Sequence, residues 1–422
     1  MSRIKIENFG PIKTGSTAPG GWLDIRKCTV FIGNQGSGKS TVAKLISTFT
    51  WMEKALVRGD HDAKWFEQGQ FEAERLPYHR LEDYLPTPRS KATIAYEGDA
   101  FHIRFEGDQL HVKAVQSPAA PYPLPQIMYV PAERNFLAYV KTAKELRLSS
   151  PSLQEFLTEY TNAKSALDDR HLALPINDSF VEYTPLNDRI NLHGPQTNPY
   201  KINLTDASSG FQSLVPLYLV SEYLASTVAA QTMMRDRPMS SQEVERFSRE
   251  TALILTNSDL SLEQQRIAFS ALSARFNKKA FINIVEEPEQ NLFPDSQRQV
   301  LNSLLMAHNR SPNNKLILTT HSPYLLNYLT LAVKASVLQE KIGDNPDLLA
   351  RLYAVVPATA TVRPNELAIY ELNEKEGSIQ ELAPYRGLPS DENTLNEKLG
   401  EANELFTELL KIEQQANLAK PQ

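Results

Sequence analysis

Gly33-Asn34-Gln35-Gly36-Ser37-Gly38-Lys39-Ser40 has the form G-x-x-x-x-G-K-[ST], and the residues on either side decide how that octapeptide is read. Before it, Cys28-Thr29-Val30-Phe31-Ile32 is nearly all apolar, as in a strand buried on both faces. After it, Val42, Leu45, Ile46, Phe49 and Met52 recur at helical spacing. The unit is therefore strand, glycine loop, helix. Glycines let such a loop wrap so that successive N–H groups point at phosphate oxygens. Lys39 would bring a positive charge toward the β and γ phosphates, and the Ser40 hydroxyl, followed by Thr41, would ligate Mg²⁺. The helix that starts here adds the positive end of its dipole. A chance glycine loop lacks these flanks, so the stretch is read as a nucleotide-binding site.

The rest of the chain is consistent with a large α/β protein. Its 422 residues exceed one ordinary core, so two lobes or one domain with insertions are expected. With 41% hydrophobic and 22% charged residues, wholesale disorder and collagen-like structure are excluded. A net charge of −6 gives no global footprint for nucleic acid. The single cysteine, Cys28, excludes a disulfide framework and a cysteine zinc site within one chain. No run of about 18 apolar residues and no signal-peptide stretch are visible, so a cytoplasmic protein without a membrane span is expected.

Along the chain, Ile4, Ile6 and Phe9 alternate with Arg3, Lys5 and Glu7 as in a half-buried strand. Runs at Lys91–Tyr96, Phe101–Phe105 and Leu110–Val115, separated by Glu97-Gly98-Asp99 and Glu106-Gly107-Asp108, predict an antiparallel meander. A strand is expected at Ile127–Val130, after Gln126, and a Ser152/Glu155 capping box before a helix reaching Leu167. Alternating runs return between Phe180 and Leu204, and an apolar helix, kinked at Pro216, follows Ser208-Ser209-Gly210. Met233–Gln265 reads as a polar helical insertion. From Glu366 the tail carries 12 acidic and 5 basic residues, with a hairpin-like Leu367–Leu382 and a helix near Leu395–Ile412.

Three further stretches carry chemistry. Phe281-Ile282-Asn283-Ile284-Val285 is a buried strand that delivers Glu286 and Glu287 at its C-terminal end, where ligands sit in α/β sheets. Glu286 suits a water-mediated hold on Mg²⁺, and Glu287 suits orientation or deprotonation of an attacking water. By itself such a pair is more often an acidic turn; the phosphate loop in the same chain reverses that weighting. A second strand ends in Thr319-Thr320-His321-Ser322-Pro323, one helix and one strand later, so His321 is expected beside the carboxylates and within reach of a γ-phosphate. Taken alone, a histidine after a strand is usually structural. Ser208-Ser209-Gly210-Phe211-Gln212 is a serine-rich helix start, which caps its helix and also suits phosphate binding.

These four motifs in this order resemble the ATP-binding cassette ATPases, and more closely the soluble branch with heads like those of structural-maintenance-of-chromosomes (SMC) proteins, RecF and the overcoming-lysogenization-defect ATPases among them. Asn8-Phe9-Gly10-Pro11-Ile12, Glu286-Glu287-Pro288-Glu289 with Leu292-Phe293-Pro294, and Thr320-His321-Ser322-Pro323 are in that branch's style. The resemblance implies a P-loop α/β head: a mixed, largely parallel core sheet flanked by helices, with an antiparallel β-subdomain and helical insertions. Gly33 to Ser40 would be the Walker A loop and Phe281–Glu287 the Walker B strand. Ser209, Gly210 and Gln212 would be a signature acting in trans, and His321 the switch. Tyr129-Val130-Pro131-Ala132-Glu133-Arg134 occupies the Q-loop region, with no clear Q-loop glutamine. The expected layout is one head over 1–422. In it, 1–58 holds the first strands and the Walker A unit, and 59–130 an insertion and the β-subdomain. The helical signature lobe spans 131–280, the Walker B and switch strands 281–330, and an α/β cap with the acidic tail 331–422.

What the resemblance implies is a slow, regulatory ATPase with ATP and Mg²⁺ as cofactors, two copies sandwiching two ATP molecules as a homodimer or higher assembly. Glu287, His321 and Lys39 would be its catalytic residues. The chain has no long heptad arm, no Asp-x-Asp after His321 and no HNH metal pattern, so no effector chemistry of its own is visible. It looks like the ATPase halves of two-gene anti-phage systems such as Septu and PARIS, where a separate nuclease is the partner. A RecF-like DNA-repair ATPase is the alternative, with DNA as a partner. A transporter motor is the least supported.

Overall fold

The computed structural model describes residues 2–116, 121–139, 150–167, 171–233, 241–256, 272 and 277–418. In chain order the strands are β1 (Arg3–Glu7), β2 (Gly15–Ser16), β3 (Leu23–Asp24), β4 (Cys28–Gly33), β5 (Thr93–Glu97), β6 (Phe101–Glu106), β7 (Gln109–Ala114) and β8 (Pro125–Val130). They continue with β9 (His171–Ala173), β10 (Phe180–Thr184), β11 (Arg189–His193), β12 (Lys201–Asn203), β13 (Ala280–Glu286), β14 (Lys315–Thr319), β15 (Leu367–Asn373) and β16 (Ser378–Glu381). The central sheet has the order β2-β16-β15-β4-β14-β13-β8. Its neighbours are parallel from β15 through β4, β14 and β13 to β8.

Every residue of β4 and β13 is buried, because this sheet is covered on both faces. On one side Cys28, Val30 and Ile32 join Phe281 and Val285 in a core shared with the helices Pro151–Ser165, Ser209–Met233, Pro294–His308 and Pro323–Ile342. On the other side Phe31, Tyr129, Ile282 and Ile284 pack with the loop helix Lys39–Arg58 and the antiparallel sheet β3-β1-β5-β6-β7. That sheet contains the expected meander. Buried Glu53 of the loop helix pins it, its carboxylate accepting from Ala100 N (2.7 Å), Phe101 N (3.2 Å) and the Tyr96 hydroxyl (2.9 Å). The run 180–204 belongs to a third, antiparallel sheet, β12-β11-β10-β9.

Several local expectations shift. The helix cap is Ser150, whose hydroxyl accepts from Leu153 N at 3.4 Å; Ser152 is buried inside the first turn, and Glu155 bonds the Tyr78 hydroxyl instead of closing a capping box. Gln126 lies within β8, not before it, because an edge strand tolerates Pro125 as its first residue. The helix Ser209–Met233 continues through Pro216. Its Ser209–Gln231 portion is long and apolar enough to cross a membrane, with a mean hydropathy of 1.2, where the sequence reading found no such run. Leu214, Val215, Leu217, Val220, Leu224 and Val228 of that helix are buried in the core. Of the insertion at Met233–Gln265, Ser241–Thr256 is helical; 234–240 and 257–265 lie outside the described residues. The Leu367–Leu382 hairpin is β15 and β16, and it extends the central sheet beside the loop strand.

Candidate nucleotide site

β4 ends at Gly33, and the loop that follows turns on glycines at positive φ: Gly33 (138°), Gly36 (75°) and Gly38 (104°). At Gly33 a Cβ would stand 2.4 Å from the carbonyl oxygen of Leu372, so only glycine lets β15 lie this close. At Gly36 the space a Cβ would enter is open. Gly38 caps the helix in the left-handed region, and Asn34, Gln35 and Ser40 are exposed, whereas Ser37, Lys39 and Thr41 are buried. The Lys39 ammonium folds back into the loop, donating to the carbonyls of Gly33 (3.0 Å) and Asn34 (2.8 Å). Burial lowers its pKa to about 8, against the pull of Glu287, Glu289 and Glu286 in the opposite direction.

β14 lies between β4 and β13, so the ends of all three strands converge. The expected proximity of the histidine and the carboxylate pair is found: His321 Nε2 is 3.6 Å from Glu287 Oε1. Burial and the charge of Lys39 lower the pKa of His321, which favours neutral imidazole at pH 7. Glu287 sits at φ 44°, in the left-handed region and directly before Pro288. Its backbone is held there by Thr319, whose carbonyl accepts from Glu287 N at 2.9 Å, and by Arg134. A conformation of this kind costs on the order of 1–3 kcal/mol and persists because its surroundings over-determine it.

Glu286 is buried. Its Oε2 accepts from Ala132 N at 3.2 Å, while Oε1 is buried without a hydrogen-bond partner. An unpaired, inward carboxylate oxygen and the exposed Ser40 hydroxyl are a donor set that fits Mg²⁺ carried in by a phosphate chain. Among the described residues no group of three or more His, Cys, Asp or Glu could hold a metal ion by itself.

Two residues with no assigned role in the sequence reading organise this centre. Arg134 is fully buried and spends its guanidinium on four carbonyls: Glu286 (2.7 Å), Glu287 (2.6 Å), Ser213 (3.1 Å) and Pro131 (3.4 Å). It thereby ties the exit of β13 to the helix that starts at Ser209. Burial lowers its pKa to about 10. Glu289 Oε1 accepts from the Thr320 hydroxyl and from His321 N, both at 2.7 Å, and so fixes the histidine loop. Burial pushes the Glu289 carboxyl up.

The serine-rich helix start lies on the other side of Arg134. Ser209 is exposed, and Gly210 is buried where a Cβ would meet the Asn291 carbonyl oxygen at 2.8 Å. Gln212 does not face outward. It is buried, its amide donates to the Thr205 carbonyl (2.9 Å) and its Oε1 accepts from the Tyr139 hydroxyl (3.0 Å).

Residues 144–327 match the family described as "AAA domain, putative AbiEii toxin, Type IV TA system". Over that stretch the chain is similar to AAA ATPases. The match takes in the Ser209 helix, the carboxylate strand and the histidine loop, begins after the phosphate loop, and covers fewer than half of the residues. A comparison with curated proteins finds no match. Solved structures with some likeness include the SMC head domain from Thermotoga maritima, at 9% identity and a TM-score of 0.38, covering 91% of this chain and 98% of that one. Another is an SMC head bound to the C-terminal winged-helix domain of ScpA, at 11% identity and a TM-score of 0.34, with 90% and 96% coverage. A third is an SMC head with an extended coiled coil bound to the C-terminal domain of ScpA derived from Pyrococcus furiosus, at 10% identity and 0.33, with 97% and 100% coverage. Scores this low carry no weight alone. The P-loop α/β fold rests instead on the strand order around β4 and on the three motifs at the ends of β4, β13 and β14.

Proposed function

We propose that this chain binds ATP with Mg²⁺, hydrolyses it slowly, and uses the γ-phosphate to hold two copies together, thereby controlling a separate effector. The observation that carries the reading is the 3.6 Å approach of His321 to Glu287 at strand ends flanking the phosphate-loop strand. Lys39 would leave the carbonyls of Gly33 and Asn34 for the β and γ phosphates, and Gly33 to Thr41 would wrap the phosphate chain. Ser40 and Glu286 would hold the Mg²⁺, which supplies charge neutralisation between phosphate oxygens. Glu287 would take the proton of the attacking water, and neutral His321 would sense the γ-phosphate. Ser209 and Gly210 suit contact with the γ-phosphate bound by the other copy, because Ser209 is exposed at a helix N-terminus. Gln212 would support that helix start from within its own chain.

The effector reading, a nuclease encoded beside this chain and restrained by it in anti-phage defence, goes beyond the matching family's description, which names a putative toxin of a type IV toxin–antitoxin system and so supports a role in such a system in general terms. The test is phosphate release and fluorescent-ATP binding for the chain and for Glu287→Gln. We expect Mg²⁺-dependent release by the first, and unchanged binding with release reduced to about 1% or less in the second. A chain that takes up no adenine nucleotide, or a variant that turns over normally, contradicts the reading.

A further inference from the structure

The helix Thr394–Leu418 starts beside the nucleotide site and is about 37 Å long. Its first turn is anchored: Glu371 of β15 accepts from Thr394 N at 2.8 Å and from the Thr394 hydroxyl at 2.6 Å. Leu395 packs against the core. Thr394, Leu395 and Lys398 share with Gly33, Asn34 and His321 the lining of one cleft of about 600 Å³.

Beyond that anchor the large apolar side chains among the described residues are exposed. Leu399 is 49% exposed, Leu405 63%, Phe406 62%, Leu409 61% and Ile412 54%. Their spacing places them on a single stripe of the helix, as on a surface that packs against another element. Contiguous apolar surface of this sort, rimmed by charge, marks an interaction site. The rim is acidic, with Glu401, Glu404, Glu408 and Glu413 along it. The helix's two lysines are already paired along it, Lys398 with Glu401 (2.6 Å) and Lys411 with Glu408 (3.1 Å). A second copy of the same helix is a poor occupant. With Glu397, Glu401, Glu404, Glu408 and Glu413 against Lys398 and Lys411, the helix stays net negative after those pairs are made, so two copies would set like charge against like charge in either direction.

We propose that this stripe docks a helix of a different polypeptide, one with a leucine or isoleucine seam flanked by lysine and arginine. The choice of a separate partner rests on the reading of this chain as the controller of an effector. The surface itself is present without nucleotide, so its test needs none. A partner seated here would lie on an element whose first turn lines the same cleft as Gly33, Asn34 and His321.

The test uses the full chain without nucleotide and two labelled synthetic helices of identical leucine/isoleucine seam, one flanked by lysines and the other by glutamates. Fluorescence anisotropy is read at low and high salt. We expect the lysine-flanked helix to bind, to weaken at least tenfold between 50 and 300 mM salt, and to weaken at least tenfold on the double substitution Leu405→Ser, Leu409→Ser. The glutamate-flanked helix should not bind. Glu404→Gln with Glu408→Gln should flatten the salt dependence while leaving the seam intact. Fluorescent-ATP binding by the variants, unchanged, shows that they are folded. Three results overturn the proposal: equal binding of both helices, binding that survives the serine substitutions, or self-association of the chain that those substitutions abolish. Failure here with normal ATP turnover refutes the docking surface alone.

Discussion

Two helices of this chain begin at glycine-bearing turns, and their first turns are used in opposite ways. The helix Lys39–Arg58 closes inward: Lys39 is buried and its ammonium fills the loop with bonds to Gly33 and Asn34. The helix Ser209–Met233 opens outward: Ser209 is exposed, while Gln212 and Gly210 are locked against Thr205 and Asn291. An α-helix leaves its first N–H groups without intrahelical partners in both cases. Among the described residues, the first start has a cation and paired carboxylates beside it. The second offers exposed donors, which suits the half-site role proposed for it above.

The contrast predicts unequal effects of substitution at the two ends. The largest belongs to Glu287→Gln, which should reduce ATP turnover by about 10²–10⁴-fold, measured as phosphate release, with nucleotide binding intact. Lys39→Ala should weaken binding by about a hundredfold, read by fluorescent-ATP titration, because it removes a charge-assisted partner of the phosphates. Arg134→Ala leaves buried carbonyls on both sides of the centre unpaired. It should cost about 3 kcal/mol in denaturant melts and reduce turnover along with stability. At the outward helix, Gly210→Ala should lower the melting temperature by only a few degrees, since a Cβ would press on the Asn291 carbonyl, yet should impair nucleotide-dependent self-association.

A pH series separates the roles of Lys39. Because burial holds it at about 8 in the folded chain against an ordinary 10.5, the nucleotide-free fold gains stability as pH rises from about 8 toward 10.5, where the unfolded chain binds more protons. Nucleotide affinity should move the other way and fall as pH passes upward through about 8, where the ammonium loses its charge. Thermal melts with and without ATP at pH 7 to 10 check both signs. Parallel curves would show that Lys39 does not meet the phosphates.

Much of this centre was legible in the sequence because it is written in periodicity and short-range spacing. β4, the phosphate loop and the helix to Arg58 follow from apolar patterning around a glycine frame, and the approach of His321 to Glu287 follows from one strand and one helix of separation. What was not legible depends on contacts distant in the chain. The carbonyl clamp of Arg134 needs Ser213 and Glu286 brought to it from 79 and 152 positions away. The Leu367–Leu382 hairpin shows its two strands locally, but nothing in it announces that Leu367–Leu372 pairs with Cys28–Gly33. The helix cap fell to Ser150 and not Ser152 because Pro151 occupies the first helical turn, and two serines two residues apart give the same local signal.

The account depends on a triphosphate shared between two copies, and the most direct measurement is the mass in solution of Glu287→Gln by light scattering with ATP and Mg²⁺, and then with ADP. A doubled or larger mass with ATP that reverts with ADP, and that is abolished by adding Lys39→Ala, is the expected result. An unchanged mass in both nucleotides, with ATP demonstrably bound, would contradict the account.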